Sequence, residues 1–267
     1  MLITSLTNPK VKAARLLRER RHRDRAGLFL IEGRREVERA RAAGIAFETL
    51  FVCPEFLGGE GRFAGPEVLE VSPVVAEKLA LRSEGVVAVA RMPRRPLADL
   101  PRPATPVYLV VNGVEKPGNL GAILRSADGA GVDGVIVCGG TDLWNPNVVR
   151  ASLGTLFTVP LAEATAAEAI AWLAGVPIVV ATPEAPALYT ETPLIGALVV
   201  GREDQGVSDP WRNAATHTVR IPMRGVADSL NVAQTATLLA YAACQGRGQG
   251  PGAGGQGKGS GGHASRT

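Results

Sequence analysis

Polar side chains stand at three places in the second half of the chain where an apolar run gives way to a turn or a helix. Asn119 and Arg125 follow the first run, Glu203 follows the second, and Ser229 and Asn231 follow the third. Carboxamide and hydroxyl groups make directional hydrogen bonds. Arg125 has apolar or very small neighbours, so it is either paired or directed at a ligand. These residue types can hold and orient a polar substrate.

Each of these side chains also has a purely structural interpretation. Asparagine and serine are among the best helix N-caps, so Asn119 could cap one helix and Ser229 or Asn231 another. The glycines on either side of Glu203 are ordinary turn residues, although glycine also lets the backbone approach a ligand closely. One cap per helix is enough, so the presence of two candidates before the last helix favours a site.

Several common catalytic motifs are absent from the sequence. No GxGxxG follows a strand, which argues against a Rossmann dinucleotide or methyltransferase site, and neither a P-loop nor a GxSxG element occurs. The three cysteines and three histidines are scattered, without a CxxC pair. We therefore expect neither a disulfide framework nor a metal site.

Hydrophobic patterning predicts the elements that position these residues. The unbroken apolar runs VYLVVNG, GVIVCGG, PIVVATP, ALVVGRED and HTVRIPM indicate strands buried on both faces, as in a parallel sheet covered by helices. Ligands bind beyond the carboxyl ends of the strands in such a sheet, which is where the polar residues fall. Helices are predicted at 119–131, 147–154, 164–174, 208–214 and 230–244.

A smaller α/β domain is predicted for residues 1–91, where short strands and helices alternate. Its first helix is expected to begin at Pro9, after an Asn8 cap, and to end at Gly27. Residues 1–25 carry eight Lys or Arg and two acidic residues. This composition favours a polyanionic partner such as nucleic acid and a solvated basic face about equally.

Composition divides the rest of the chain. Five prolines within 92–106 predict a semi-rigid linker, and 107–245 form the second domain. Residues 246–267 are rich in glycine and lack large apolar side chains, which predicts a disordered tail. No apolar signal core and no segment of transmembrane length occurs, so we expect a cytoplasmic protein without a membrane partner.

The three polar segments, in this order, resemble the SpoU (TrmH-like) family of RNA ribose 2′-O-methyltransferases. Asn119 and Arg125 match the first family motif, Glu203 and its flanking glycines match the second, and IPMRGVADSLNVAQTATLLAYA matches the third. Residues 3–44 and 83–93 resemble the substrate-binding module of the ribosomal-RNA branch of this family.

This resemblance implies a fold and a cofactor. The second domain would be a parallel α/β fold with a deep trefoil knot at its carboxyl end, a rare exception to the unknotted rule. S-adenosylmethionine (AdoMet, S-adenosyl-L-methionine) would bind bent in the knot, at loops that contain Gly201, Ile221, Met223 and Leu230. The enzyme would be a homodimer with its site near the interface, would require no metal, and would act on ribosomal RNA of the large subunit.

The resemblance also implies roles for the catalytic residues. The reaction requires a ribose 2′-oxygen to be positioned and deprotonated. The arginine that matches Arg125 has been proposed as general base, but a guanidinium stays protonated near neutrality, so we expect it to bind phosphate and stabilise the developing alkoxide. Asn119 and Asn231 would supply hydrogen bonds, and Ser229 would do so or relay a proton. Glu203 would orient Arg125 or the knot loops.

Ribosomal RNA is also the partner expected for the first domain. Proteins hold folded RNA through its phosphates and 2′-hydroxyls. The expected contacts are Arg20, Arg21, Arg23, Arg34 and Arg35.

Two alternatives stay open from the sequence. One is a transfer-RNA 2′-O-methyltransferase of the same family. The first domain argues against this alternative, because simpler family members that act on transfer RNA use short helical extensions instead. The other is a non-catalytic RNA-binding or ribosome-assembly factor with the same fold. The five polar residues of the expected site argue against this second alternative, since a binding module needs no such set.

Overall fold

The computed structural model describes residues 2–58, 63–80 and 84–245, which form two sheets with helices packed on them. The predicted disordered tail, 246–267, lies outside the described residues. Among the described residues, no helix is long and apolar enough to cross a membrane.

The smaller sheet belongs to the amino-terminal unit and has the strand order β1-β4-β2-β3. Strand β4 is antiparallel to both neighbours, and β3 is parallel to β2. The strands are β1 (Leu28–Glu32), β2 (Phe47–Val52), β3 (Val68–Glu70) and β4 (Val86–Arg91). The helices that the structure describes in this unit are α1 (Pro9–Leu16), α2 (Arg20–Ala26), α3 (Arg34–Ala42), α4 (Pro54–Leu57) and α5 (Pro73–Leu79).

The basic segment near the amino terminus forms two helices, so the prediction of one helix from Pro9 to Gly27 was wrong. Helix α1 ends at Leu16, and α2 begins only at Arg20. The carbonyl oxygens of Leu17 and Arg18 accept hydrogen bonds from Nη1 of Arg23, each at 2.7 Å. In a continuous helix, backbone amides would bind these two carbonyls. Here the Arg23 side chain takes the place of those amides.

The same guanidinium contradicts the expectation that Arg23 contacts RNA. Its side chain is 1% exposed and its Nη2 pairs with Asp142 of the second unit, whose side chain is 10% exposed. A buried charge needs a partner of opposite sign, and Asp142 is that partner. Arg23 therefore fixes α2 against the second unit and is not available to a ligand.

Aromatic packing continues this junction between the two units. The ring centroid of Phe29 on β1 lies 4.8 Å from that of Trp144 and 6.2 Å from that of Phe157, and all three side chains are buried. On α3, Arg39 donates to the carbonyl of Leu153 at 2.6 Å. The core is therefore continuous from the smaller sheet into the larger one.

The larger sheet has seven strands, all parallel, in the order β7-β6-β5-β10-β8-β11-β9. This confirms the predicted parallel α/β fold; the knot stays a prediction. The strands are β5 (Val107–Asn112), β6 (Gly134–Cys138), β7 (Leu161–Glu163), β8 (Ile178–Ala181), β9 (Ala187–Leu188), β10 (Gly196–Val200) and β11 (His217–Arg220). The helices described in this unit are α6 (Pro117–Ala130), α7 (Pro146–Ala151), α8 (Thr155–Thr158), α9 (Ala166–Trp172), α10 (Asp209–Ala214) and α11 (Val232–Cys244).

Three details of this sheet differ from the sequence prediction. The two strands at its edges, β7 and β9, have three and two residues and were not predicted, because such short runs carry little periodicity. The predicted helix 147–154 ends earlier, at Ala151 in α7, and the separate helix α8 begins only at Thr155. The backbone between them is left-handed at Leu153 (φ 54°) and Gly154 (φ 84°), which ends a right-handed helix.

The proline-rich segment 92–106 runs against the edge of the larger sheet. It contains a single 3₁₀ turn, Leu97–Asp99, and its Arg95 carbonyl accepts a hydrogen bond from the amide of Glu163 at 3.0 Å. The guanidinium of Arg102 lies 4.5 Å from the ring centroid of Trp172, within cation–π distance. These contacts hold the segment that joins the two units.

The burial of Arg23 leads to a stability prediction. Arg23→Ala should lower the free energy of unfolding by about 3–5 kcal/mol, because it leaves the nearly buried Asp142 carboxylate without its partner. Arg25→Ala, at an exposed position on the same helix, should change it by about 0.5 kcal/mol or less. Urea unfolding followed by circular dichroism measures both variants. Similar small effects would contradict the structural role of Arg23.

Candidate active site

A cavity of about 310 Å³ lies at the carboxyl ends of β8, β10 and β11. The parallel register brings these ends to one edge of the sheet, as expected for a ligand site in an α/β fold. All four residues predicted to bind the cofactor line it, and so do Glu203 and Ser229. The four are Gly201, Ile221, Met223 and Leu230.

Glycine is required at the start of the loop that follows β10. Arg202 and Gly206 exchange two backbone hydrogen bonds, each of 3.0 Å, so the loop folds back on itself. A Cβ atom on Gly201 would overlap the backbone of Gly206 and Val207. The tight turn thereby presents its backbone, rather than a side chain, to the cavity.

The side chain of Asn119 joins the three polar segments. Its Nδ2 donates to a carboxylate oxygen of Glu203, and its Oδ1 accepts a hydrogen bond of 3.2 Å from Nδ2 of Asn231. Asn119 is the third residue of α6, and the N-cap of that helix is Lys116. Asn119 therefore does not cap α6, and its side-chain amide takes part in the site instead.

Asn231 has both of the roles that the sequence allowed. It is the N-cap of α11, and its Oδ1 accepts the amide hydrogen of Ala233 at 2.9 Å. Its Nδ2 is the donor to Asn119. Ser229, two residues earlier, does not cap the helix and instead lines the cavity with an exposed side chain.

Arg125 lies on α6, six residues after Asn119, and is exposed. Within the described part of the chain it makes no hydrogen bond or ion pair, so its guanidinium is available to a ligand. The expected contact between Glu203 and Arg125 is not found, because Glu203 binds Asn119 instead. Helix α6 is tied to α11 by a hydrogen bond of 2.6 Å between Ser126 and Thr237, which fixes the two helices that carry Arg125 and Asn231.

Arg202 ties the loop after β10 to the loop that leads into α6. Its guanidinium lies 3.1 Å from Asp204 and 3.0 Å from Glu115. The hydrogen bond with Asp204 raises the pKa of Arg202 and lowers that of Asp204. A Cβ on Gly113 would approach Cγ of Arg202 to 2.9 Å, so a glycine at that position allows the contact. Two contacts thus join the loop after β10 to α6 and the segment before it: Asn119 with Glu203, and Arg202 with Glu115.

Two family profiles match this chain. The profile of the SpoU rRNA methylase family matches residues 106–241, which contain every polar residue of the site, and that of the MRM3-like substrate-binding domain matches 8–90. The chain belongs to the SpoU rRNA methylase family.

Similar proteins in the SpoU family span nearly the whole chain. The 23S rRNA (uridine(2479)-2′-O)-methyltransferase of Streptomyces viridochromogenes is 34% identical, over 87% of this chain and 88% of its own length. The 23S rRNA (guanosine(2553)-2′-O)-methyltransferase RlmP of Bacillus subtilis is 32% identical, over 90% and 97%. The AdoMet-bound structure of an rRNA methyltransferase from Sinorhizobium meliloti superposes with a TM-score of 0.81 at 34% identity, covering 91% of this chain and 97% of that one.

The structure also adds residues that the sequence analysis of this SpoU chain missed. Thr182 and Glu184, directly after β8, line the same cavity, as do Arg212 and Asp228. The Thr182 hydroxyl donates a hydrogen bond to Glu184 and lowers the pKa of that carboxyl. The strand-end rule that placed Glu203 in a candidate site applies equally to PIVVATP and would have found Thr182.

The remaining predicted RNA contacts all lie beside carboxylates. Each has an acidic neighbour on its own helix or at its start: Arg20 lies 3.5 Å from Asp24, and Arg21 lies 2.8 Å from Glu19. The pairs on α3 are Arg34 with Glu38 and Arg35 with Glu36. No group of three or more potential metal ligands occurs among the described residues.

The two roles of Asn231 can be separated by substitution. Asn231→Ala should lower the free energy of unfolding by about 1 kcal/mol, because the α11 N-terminus loses its cap. Asn231→Ser keeps a capping oxygen but not the amide donor to Asn119, and should be within about 0.5 kcal/mol of the natural protein. Thermal unfolding compares the three proteins. A serine variant as unstable as the alanine variant would show that the Asn119 contact, not the cap, carries the stability.

Proposed function

We propose that this chain transfers a methyl group from AdoMet to a ribose 2′-hydroxyl of large-subunit ribosomal RNA. The observation that carries the proposal is the double hydrogen bond of Asn119 to Glu203 and Asn231, beside a cavity at the strand ends. Two similar proteins are named 23S rRNA 2′-O-methyltransferases, and they cover most of the chain.

The cavity suits AdoMet in size and chemistry. Its volume of about 310 Å³ falls at the lower end of the range for small-molecule sites, about 300–1,000 Å³. Ile221, Met223 and Leu230 offer apolar contacts, and the backbone at Gly201 offers hydrogen bonds without a side chain in the way. Glu184 supplies a carboxylate that can accept from hydroxyl or ammonium groups. When bound, AdoMet supplies the electrophilic methyl group.

The polar residues then act on the ribose. The second Nδ2 hydrogen of Asn119 remains free to donate, and the amide is held in one orientation by Glu203 and Asn231. The unpaired guanidinium of Arg125 binds the adjacent phosphate and stabilises the developing alkoxide. Ser229 donates a hydrogen bond to the ribose 2′-oxygen or passes the hydroxyl proton on to solvent, to which its side chain is exposed. No metal takes part in this scheme.

The enzyme acts as a cytoplasmic homodimer in this proposal. Leu238 and Tyr241 on α11 are large apolar side chains that are 39% and 52% exposed. Helix α11 packs against α6, which carries Arg125. A second copy on this face would bury the apolar side chains and lie close to the site.

Ribosomal RNA is favoured over transfer RNA as substrate because both similar proteins named above are 23S rRNA methyltransferases. The amino-terminal unit matches a substrate-binding domain model over residues 8–90, so the chain contains more than a catalytic unit. The assembled Asn119 contacts and the free Arg125 favour an enzyme over a binding factor.

Transfer of tritiated methyl from AdoMet tests the proposal. Unmodified large-subunit ribosomal RNA and transfer RNA are the two substrates, and alkali-resistant dinucleotides are the readout, because a 2′-O-methyl group blocks alkaline cleavage. We expect label in ribosomal RNA, and an approximately 100-fold or greater loss in Arg125→Ala with AdoMet affinity retained. Arg150→Ala, on α7, is the control. Label only in transfer RNA would contradict the substrate, and no label in RNA or ribosomal particles would contradict the activity.

A further inference from the structure

A groove separates helix α2 of the first unit from the carboxyl ends of β6 and β7. It consists of two adjoining openings of about 500 and 320 Å³, which share Arg20, Gly140, Thr141 and Asp142. The smaller opening is also lined by Arg18 and by Pro117, the first residue of α6. One wall of the groove therefore belongs to the basic amino-terminal segment and the other to the catalytic unit.

We propose that this inter-unit groove binds the RNA strand next to the methylated nucleotide, with Arg18 and Arg20 on its phosphates. The inference rests on the proposed function and specifies where the substrate lies. Of the five RNA contacts expected from the sequence, the proposal retains Arg20, and it adds Arg18, which was not among them.

The groove leads to the active site. Pro117 lies two residues before Asn119 on the same helix. Glu115, which also lines the groove, pairs at 3.0 Å with Arg202, whose side chain lines the cofactor cavity. The Glu115–Arg202 ion pair thus joins a residue of the groove to a residue of the cavity. A strand that extends along the groove past Pro117 would approach Asn119.

Two of the three carboxylates that line the groove are already paired. Asp142 is paired with Arg23, and Glu115 with Arg202. Burial and the nearby Asp142 raise the pKa of the third carboxyl, Glu163, and the nearby Arg20 lowers it. On the basic wall, Arg20 is exposed and lies 3.5 Å from Asp24, whereas Arg18 is half-buried, and its Nε and Nη2 are buried without a hydrogen-bond partner among the described residues. A phosphate in the groove would pair with the exposed Arg20 guanidinium and, once the Arg18 side chain turns outward, with the Arg18 donors.

The floor of the groove is formed in advance. The Thr141 amide donates to the carbonyl of Val114 at 2.8 Å, and its hydroxyl donates to the carbonyl of Glu115. A Cβ on Gly140 would lie 2.8 Å from the amide nitrogen of Val114, so a side chain there would separate the two loops. The Arg23–Asp142 pair holds α2 above this floor. A preformed groove lowers the ordering cost of binding.

Two double variants of equal charge test the proposal. Arg18→Ala/Arg20→Ala removes the groove arginines, and Arg15→Ala/Arg25→Ala removes two exposed arginines of the same basic segment that do not line the groove. The probe is an unmodified transcript of large-subunit ribosomal RNA, and its affinity is measured from 50 to 200 mM salt, that is, at about the ionic strengths where phosphate contacts dominate. AdoMet affinity and the unfolding temperature are measured alongside.

We expect the groove variant to bind RNA about 10-fold or more weakly, with a salt slope reduced by about 1.4 for two lost single-strand phosphate contacts. The control should lose less than about 3-fold, and both should keep AdoMet affinity. Equal losses in the two variants would overturn the proposal, because long-range charge alone would then explain binding. If the groove variant is unstable, Arg20→Ala alone, at an exposed position, replaces it. A natural protein that binds RNA through the groove but transfers no methyl would contradict the proposed function and not the groove.

Discussion

The structure of the site depends on the side-chain amide of Asn119. It connects the helix after β5 with the loop after β10 and with the start of α11, segments separated by 84 and 112 residues. This connection is possible because the parallel sheet places β5 beside β10 and brings the carboxyl ends of its strands to one edge. An amide held by two hydrogen bonds cannot rotate without breaking one of them, so its remaining donor is presented in a fixed direction. The backbone turn at Gly201 and the Ser126–Thr237 hydrogen bond maintain the same arrangement.

A second constraint joins the amino-terminal unit to this sheet. Arg23 ends the first helix, fixes the second and pairs with Asp142, while Phe29 packs against Trp144 and Phe157. The position of the basic segment relative to the active site therefore follows from a buried ion pair and an aromatic contact. In the proposed function, Arg23 would therefore hold the groove arginines in place relative to the active site, although Arg23 itself is buried and does not contact RNA.

The sequence was informative where local pattern decides structure. Unbroken apolar runs predicted the five central strands of the parallel sheet. The presence of both Ser229 and Asn231 before α11 predicted a site there beside the helix cap, and the cap is Asn231. The sequence could not show that Arg23 is buried, because its partner Asp142 lies 119 residues away along the chain. Likewise, Glu203 was expected to orient Arg125 or the knot loops, and it binds Asn119, which lies 84 residues away along the chain. Partner choice among exposed polar side chains depends on three-dimensional placement, which no local periodicity encodes.

The central claim is that Glu203 and Asn231 act through one amide, and a double-mutant cycle on methyl transfer tests it. Glu203→Ala, Asn231→Ser and the double variant are compared by kcat/KM with ribosomal RNA, the serine being chosen to retain the helix cap. Either substitution alone should release the Asn119 amide. The kcat/KM of the double variant should therefore be no more than about 3-fold below that of the less active single variant. Losses that multiply across the cycle would show that the two residues act independently and would contradict this account.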